Sequence, residues 1–203
     1  MDKEILGLFA EPIGIYGLKR EVSILEIDYI NLCLQNKRNN ENNFVSIETF
    51  VLEQKLLLNL KSFFINALHD FYETVLGETM KLKITQSWLT ESLETQSHHT
   101  HWHPNSILSG VFYVRTSKND SITFLKPSQN HLLTTTENKK IYNVFNSAKW
   151  TIPAIQNNLI IFRSNLVHEV SPVLSGRRIS LAFNSFFAKN PGTIEELNYL
   201  PIY

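Results

Sequence analysis

The sequence predicts one α+β domain, mainly β, in which N-terminal helices cover a β-sandwich or barrel. Apolar residues recur at helical steps through residues 49–76, and from Lys81 onward the pattern changes to short β-branched or aromatic segments with turns between them. The chain has 203 residues, 43% hydrophobic and 19% charged, which suffices for one sizeable core and falls short of two independent domains.

Taken in order, residues 6–16 are apolar but interrupted by Pro12 and Gly14, which suits a short edge strand. Residues 22–36 read as a modest helix carrying Ile24, Leu25, Ile27, Ile30, Leu32 and Leu34. The Asn-rich stretch 36–43 reads as a surface loop. The strongest helix spans 49–76, where Leu52, Leu56, Leu60, Phe63, Phe64, Ala67, Leu68, Phe71 and Val75 share a face and Gly77 supplies the stop. Strands are expected at 82–89, 107–114, 121–125, 141–145, 159–162 and 179–187. No repeat or linker divides the chain, so 1–203 is read as a single unit: 1–80 a strand and supporting helices, 81–190 the β core and 191–203 a tail.

Nineteen basic residues balance nineteen acidic ones, so no overall positive field favours nucleic acid as a partner. No apolar run approaches the roughly 20 residues that span a bilayer, so no membrane association is expected. The lone Cys33 and a start without a basic, then apolar, leader suggest the reducing cytoplasm.

His98, His99, His101 and His103 fall within six positions. In an extended segment His99, His101 and His103 project from one face, because strand side chains alternate. Two imidazoles on one strand need a third ligand from elsewhere for a stable site, and His168, just beyond the apolar strand 159–162, is the candidate. His99 with His101 has the same spacing as His101 with His103, so this pattern alone leaves both pairs open. His69 and His131 read as ordinary structural or loop histidines. After the turn at 171–176, Arg178, Ser180, Ala182 and Asn184 share one strand face while Arg177 takes the other. So polar and small a face fits a cavity holding an anion, and an Arg fork matches a carboxylate.

These residues also match a known pattern. The stretches His101-Trp102-His103-Pro104-Asn105-Ser106, Ser109-Gly110-Val111-Phe112-Tyr113, the distal His168 and Arg178-Ile179-Ser180-Leu181-Ala182-Phe183-Asn184 follow one another in order, after an opening Leu8-Phe9-Ala10-Glu11-Pro12-Ile13. In these the chain resembles the 2-oxoglutarate- and Fe(II)-dependent oxygenases of the prolyl-hydroxylase-like superfamily, in a bacterial and phage branch. The resemblance implies a double-stranded β-helix, or jelly roll, with helices packed on one sheet. It also implies Fe(II) as metal and 2-oxoglutarate as cosubstrate. His101, His103 and His168 fall at its metal-ligand positions and Arg178 at its cosubstrate-binding position. Asn105, Tyr113, Ser180 and Asn184 are expected to line the same pocket, with Trp102 flanking the entrance and Trp88 packed in the core.

The sequence departs from the pattern at His103, where most relatives carry Asp or Glu, at Asn157-Asn158, where an acid-Gly turn is usual, and at Arg163, where Pro is usual. The implied reaction is hydroxylation of a peptide or small molecule with release of succinate and CO2, the loop 126–140 helping to select the substrate. A three-His site also resembles cupin-type dioxygenases that need no keto acid, and a jelly roll can serve as a non-catalytic binding module. Jelly-roll proteins often dimerise, so a homodimer is compatible with this reading.

Overall fold

The computed structural model describes residues 1–126 and 141–202. The chain opens with β1 (Gly14–Gly17), α1 (Ile24–Gln35), the hairpin of β2 (Lys37–Asn40) and β3 (Asn43–Ser46), and the long helix α2 (Leu58–Leu76). Then follow β4 (Leu82–Leu93), β5 (His98–His101), β6 (Leu108–Arg115), β7 (Ser121–Leu125), β8 (Lys149–Pro153), β9 (Asn158–Arg163), β10 (His168–Val170) and β11 (Arg177–Phe187). The strands form a seven-stranded sheet in the order β1-β9-β6-β11-β4-β3-β2 and a four-stranded sheet in the order β5-β10-β7-β8. Every pairing between these strands is antiparallel. Two sheets with few helices make the double-stranded β-helix that the resemblance implies.

Alternation along the central strands divides the interior in two. Phe112, Leu159, Ile161, Leu181 and Phe183 face α2, where they meet Leu60, Phe64 and Leu68. Their neighbours Tyr113, Ile160 and Phe162 face the small sheet and pack with Ile122, Phe124 and Leu166. Phe64 anchors the helical side, its ring 5.4 Å from Phe112 and 5.6 Å from Phe183. Gly110 stands opposite Phe183, and a Cβ there would lie only 2.4 Å from the phenyl ring, so this crossing requires glycine.

The local elements have identifiable causes. Helix α1 starts on a capping box: the Ser23 hydroxyl accepts from Glu26 N, and the Glu26 carboxylate accepts from Ser23 N at 2.7 Å. Helix α2 stops at Gly77, which takes the left-handed conformation, φ 67°. The expected helix over 49–76 is shorter than its periodicity suggests. Residues Val51–Glu53 and Lys55–Leu57 form two 3-10 turns instead, drawn in because Val51, Leu52 and Leu57 are buried and the Ser87 hydroxyl accepts Leu52 N.

Three further expectations need correction. Residues 36–43 are not a loop but the β2–β3 hairpin, a polar sheet edge whose strands lack an apolar alternation. Residues 141–145 form no strand. Asn143 Oδ1 accepts Phe145 N and Asn146 Oδ1 accepts Asn143 N, which closes a turn, and the strand of this region is β8. The expected edge strand over 6–16 contracts to β1, which pairs with β9. Asn157, at the atypical turn, adopts φ 65°, a conformation Asn tolerates better than most residues. Among the described residues no helix is long and apolar enough to cross a membrane. His131 and residues 127–140 of the proposed selectivity loop lie outside the described residues.

Candidate metal centre

The small sheet brings the histidines together. In the β5–β10 ladder His101 pairs with His168, and just past β5 the chain turns so that His103 N bonds the Ser164 carbonyl at 2.8 Å. Ring centroids of His101 and His168 lie 4.3 Å apart, those of His101 and His103 5.1 Å, and those of His103 and His168 5.2 Å. Each ring offers a nitrogen, and the three nitrogens lie within 4.8 Å of one another.

Two of the rings are oriented by backbone carbonyls. His101 Nδ1 sits 2.7 Å from the His99 carbonyl oxygen and His168 Nδ1 2.9 Å from that of Leu166. A carbonyl can only accept, so each Nδ1 carries the proton and each Nε2 keeps a lone pair available to a cation. Burial, reinforced by the neighbouring His101, pushes His103 down to about 4. Burial and the same neighbour push His168 down to about 3. Burial lowers His101 as well. Crowded, neutral imidazoles with free lone pairs suit a divalent cation, so the donor set fits the metal that the resemblance implies.

The cavity beside these rings is walled by alternate residues of three strands: Trp88, Thr90 and Ser92 of β4, Val111 and Tyr113 of β6, and Arg178, Ser180 and Ala182 of β11. Arg178 is 3% exposed. Its Nη1 donates to Asp120 Oδ1 at 3.0 Å and to the Ser171 carbonyl at 2.9 Å, and its Nη2 reaches Ser92 Oγ at 3.4 Å. The Tyr113 hydroxyl is buried and has no hydrogen-bond partner among the described residues, and burial raises its pKa.

The sequence-predicted residues thus divide. His101, His103, His168, Arg178, Tyr113 and Ser180 all line one cavity. Asn105 does not line it: it is exposed in a left-handed turn, φ 56°. Asn184 does not line it either: it keeps the phase of Ala182 but its Oδ1 accepts Ser109 Oγ at 2.8 Å, beyond the end of the lining. Trp88 lines the cavity, its ring 5.7 Å from His103, rather than packing in the core, whereas Trp102 is exposed and lies outside the lining. His99 is not part of the cavity lining; its Nδ1 lies 3.2 Å from Glu41 Oε2. His69 is structural, with Nε2 at the Leu82 backbone.

Sequence reasoning missed His98, Thr90, Ser92 and Asp120. The β4 pair was available from the same period-two rule that selected Arg178 and Ser180. Asp120 sits in a turn, where no period applies.

Comparison with known proteins follows the same lines. Residues 86–184 match a family model described as "Putative 2OG-Fe(II) oxygenase". Among solved structures, HygX from Streptomyces hygroscopicus, with nickel, 2-oxoglutarate and hygromycin B bound, is similar with a TM-score of 0.59 at 9% identity, covering 88% of this chain and 84% of that one. A Pseudomonas putida prolyl-4-hydroxylase gives 0.58 at 10% identity, covering 86% and 92%. A 2OG-Fe(II) oxygenase family oxidoreductase from Burkholderia pseudomallei gives 0.56 at 14% identity, covering 85% and 84%. No curated protein matches the chain.

Proposed function

We propose, from the premise that residues 86–184 belong to the 2OG-Fe(II) oxygenase family, that the protein hydroxylates a small-molecule or peptide substrate with O2, one oxygen atom entering the substrate C–H bond and the other the succinate formed as 2-oxoglutarate loses CO2. The observation that carries the proposal is the convergence of His101, His103 and His168, two of them with Nδ1 already committed to a carbonyl, on one wall of the cavity that also holds Arg178. In this reading the three imidazoles hold Fe(II), and iron with the keto acid supplies the oxidising power for attack on a C–H bond.

The remaining roles fall to the chain's own groups. Arg178 has five N–H donors, of which Asp120, Ser171 and Ser92 engage part, so the rest of the fork is free for the far carboxylate of 2-oxoglutarate. The Tyr113 hydroxyl supplies a further donor, and Ser180 completes the polar end. Trp88, Val111 and Phe162 exclude water from the other walls.

The test is an anaerobic titration with Fe(II) and then 2-oxoglutarate, followed by the visible charge-transfer absorption of the chelate. The band is expected in the unaltered protein, and Arg178→Ala is expected to remove it while iron still binds. Iron uptake without the band in the unaltered protein would overturn the keto-acid reading. One observation favours a second reading, a three-His oxygenase independent of keto acid: Arg178 is already charge-balanced by buried Asp120. Iron without the band is the outcome it expects.

A further inference from the structure

We propose that His98, His99 and His101 form a second divalent-metal site, which shares His101 with the inner triad and excludes it. Each of the three rings offers a nitrogen within 4.8 Å of the other two. Their centroids are 4.4 Å apart for His98 and His101, 5.1 Å for His98 and His99, and 5.2 Å for His99 and His101. Simple alternation would set His98 and His101 on opposite faces. The ladder places three residue steps of β5 against two of β10, and this bulge turns His98 to the side of His101.

A second observation points to a ligand. His99 Nδ1 is buried and makes no hydrogen bond among the described residues, although Glu41 Oε2 is 3.2 Å away. Glu41 is held there by the β2–β3 turn, where it takes φ 48° and where Asn42 and Asn43 donate to Ser97 Oγ at 3.0 Å and Ser97 O at 2.9 Å. Glu41 is not among the groups within 4.8 Å of all three rings, so the carboxylate stands behind His99 and supports its ring while the three imidazoles hold the cation.

Three imidazoles with an open position suit Zn(II) or Cu(II), which such donors hold more tightly than Fe(II). Because His101 Nδ1 donates to the His99 carbonyl, only its Nε2 can ligate, so an ion in the outer triad withdraws a ligand from the inner one. The site thus provides for inhibition by a competing metal. Its exclusivity rests on the inner triad proposed above, whereas the outer site itself does not.

The probe is Zn(II), titrated calorimetrically into a His103→Ala/His168→Ala chain whose far-ultraviolet circular dichroism matches the unaltered protein. One zinc per chain is expected. Further substitution of His98→Ala and His99→Ala should abolish uptake, and Glu41→Gln should weaken it about tenfold, as for loss of a supporting carboxylate. A folded double variant that takes up no zinc overturns the site, as does uptake that ignores the His98 and His99 changes. If the alanine pair does not fold, His103→Gln/His168→Gln serves in its place. The unaltered protein is expected to bind one zinc, and two would overturn the exclusivity. Failure of the keto-acid reading shows separately, as a missing charge-transfer band in zinc-free protein.

Discussion

The Tyr113 hydroxyl is a buried donor with no partner among the described residues, an arrangement that costs about 1–3 kcal/mol wherever nothing compensates it. Removing the hydroxyl should therefore affect the free and liganded protein in opposite directions. Tyr113→Phe is expected to raise the stability of ligand-free protein by about 1 kcal/mol and to weaken 2-oxoglutarate binding about tenfold, the latter worth about 1.4 kcal/mol. Thermal melts with and without 2-oxoglutarate check both signs. A lower melting temperature without ligand would show that the hydroxyl is already satisfied.

The expected residues that reach the cavity are those on regular strands: Arg178 and Ser180 follow period two on β11, and Tyr113 follows it on β6. Two expectations fail where regularity ends, at Asn105 in a left-handed turn and at His98, whose direction a bulge reverses, whereas Asn184 keeps the expected phase but is tied to Ser109 beyond the cavity. Asp120 was invisible for a different reason, since its importance comes from Arg178, 58 positions away.

At the scale of elements, the fit of α2 on the large sheet depends on the crossing of β6 and β11. Gly110→Ala puts a methyl carbon into the Phe183 ring, and overpacking of this kind is expected to destabilise the fold by about 1–3 kcal/mol. Urea unfolding of the variant measures it, and an unchanged midpoint would mean that Phe183 moves aside freely. The elements legible in sequence were those with an apolar face against a core, namely α1, α2, β4, β6, β7, β9 and β11. Strands β2 and β8 were not, because each carries mostly polar or exposed residues, nor was β3, whose four residues show no apolar alternation; each pairs with a neighbour that fixes its conformation.

At the scale of the whole molecule, the histidine cluster ties stability to acidity. His98, His103 and His168 titrate near 2, 4 and 3 in the folded protein, each well below the ordinary 6.5, chiefly through burial. As pH falls through about 6.5 the unfolded chain takes up protons that the folded chain refuses, so unfolding is increasingly favoured. Metal-free protein is therefore expected to show a level urea midpoint above about pH 7 that drops steadily toward pH 4. A midpoint that rises on acidification would contradict the burial of these rings.

The division of the interior by alternate side chains also governs how the length of this chain can vary. Along β6, β9 and β11 each residue faces either the helix or the metal-side cavity, never the same as its neighbour. Deleting one residue within such a strand exchanges the two faces beyond that point, turning Tyr113-type positions toward Phe64 and Phe112-type positions toward the histidines. Removing two restores the facing. A change of one residue in length is thus expected to be tolerated in the connections between strands and not within them.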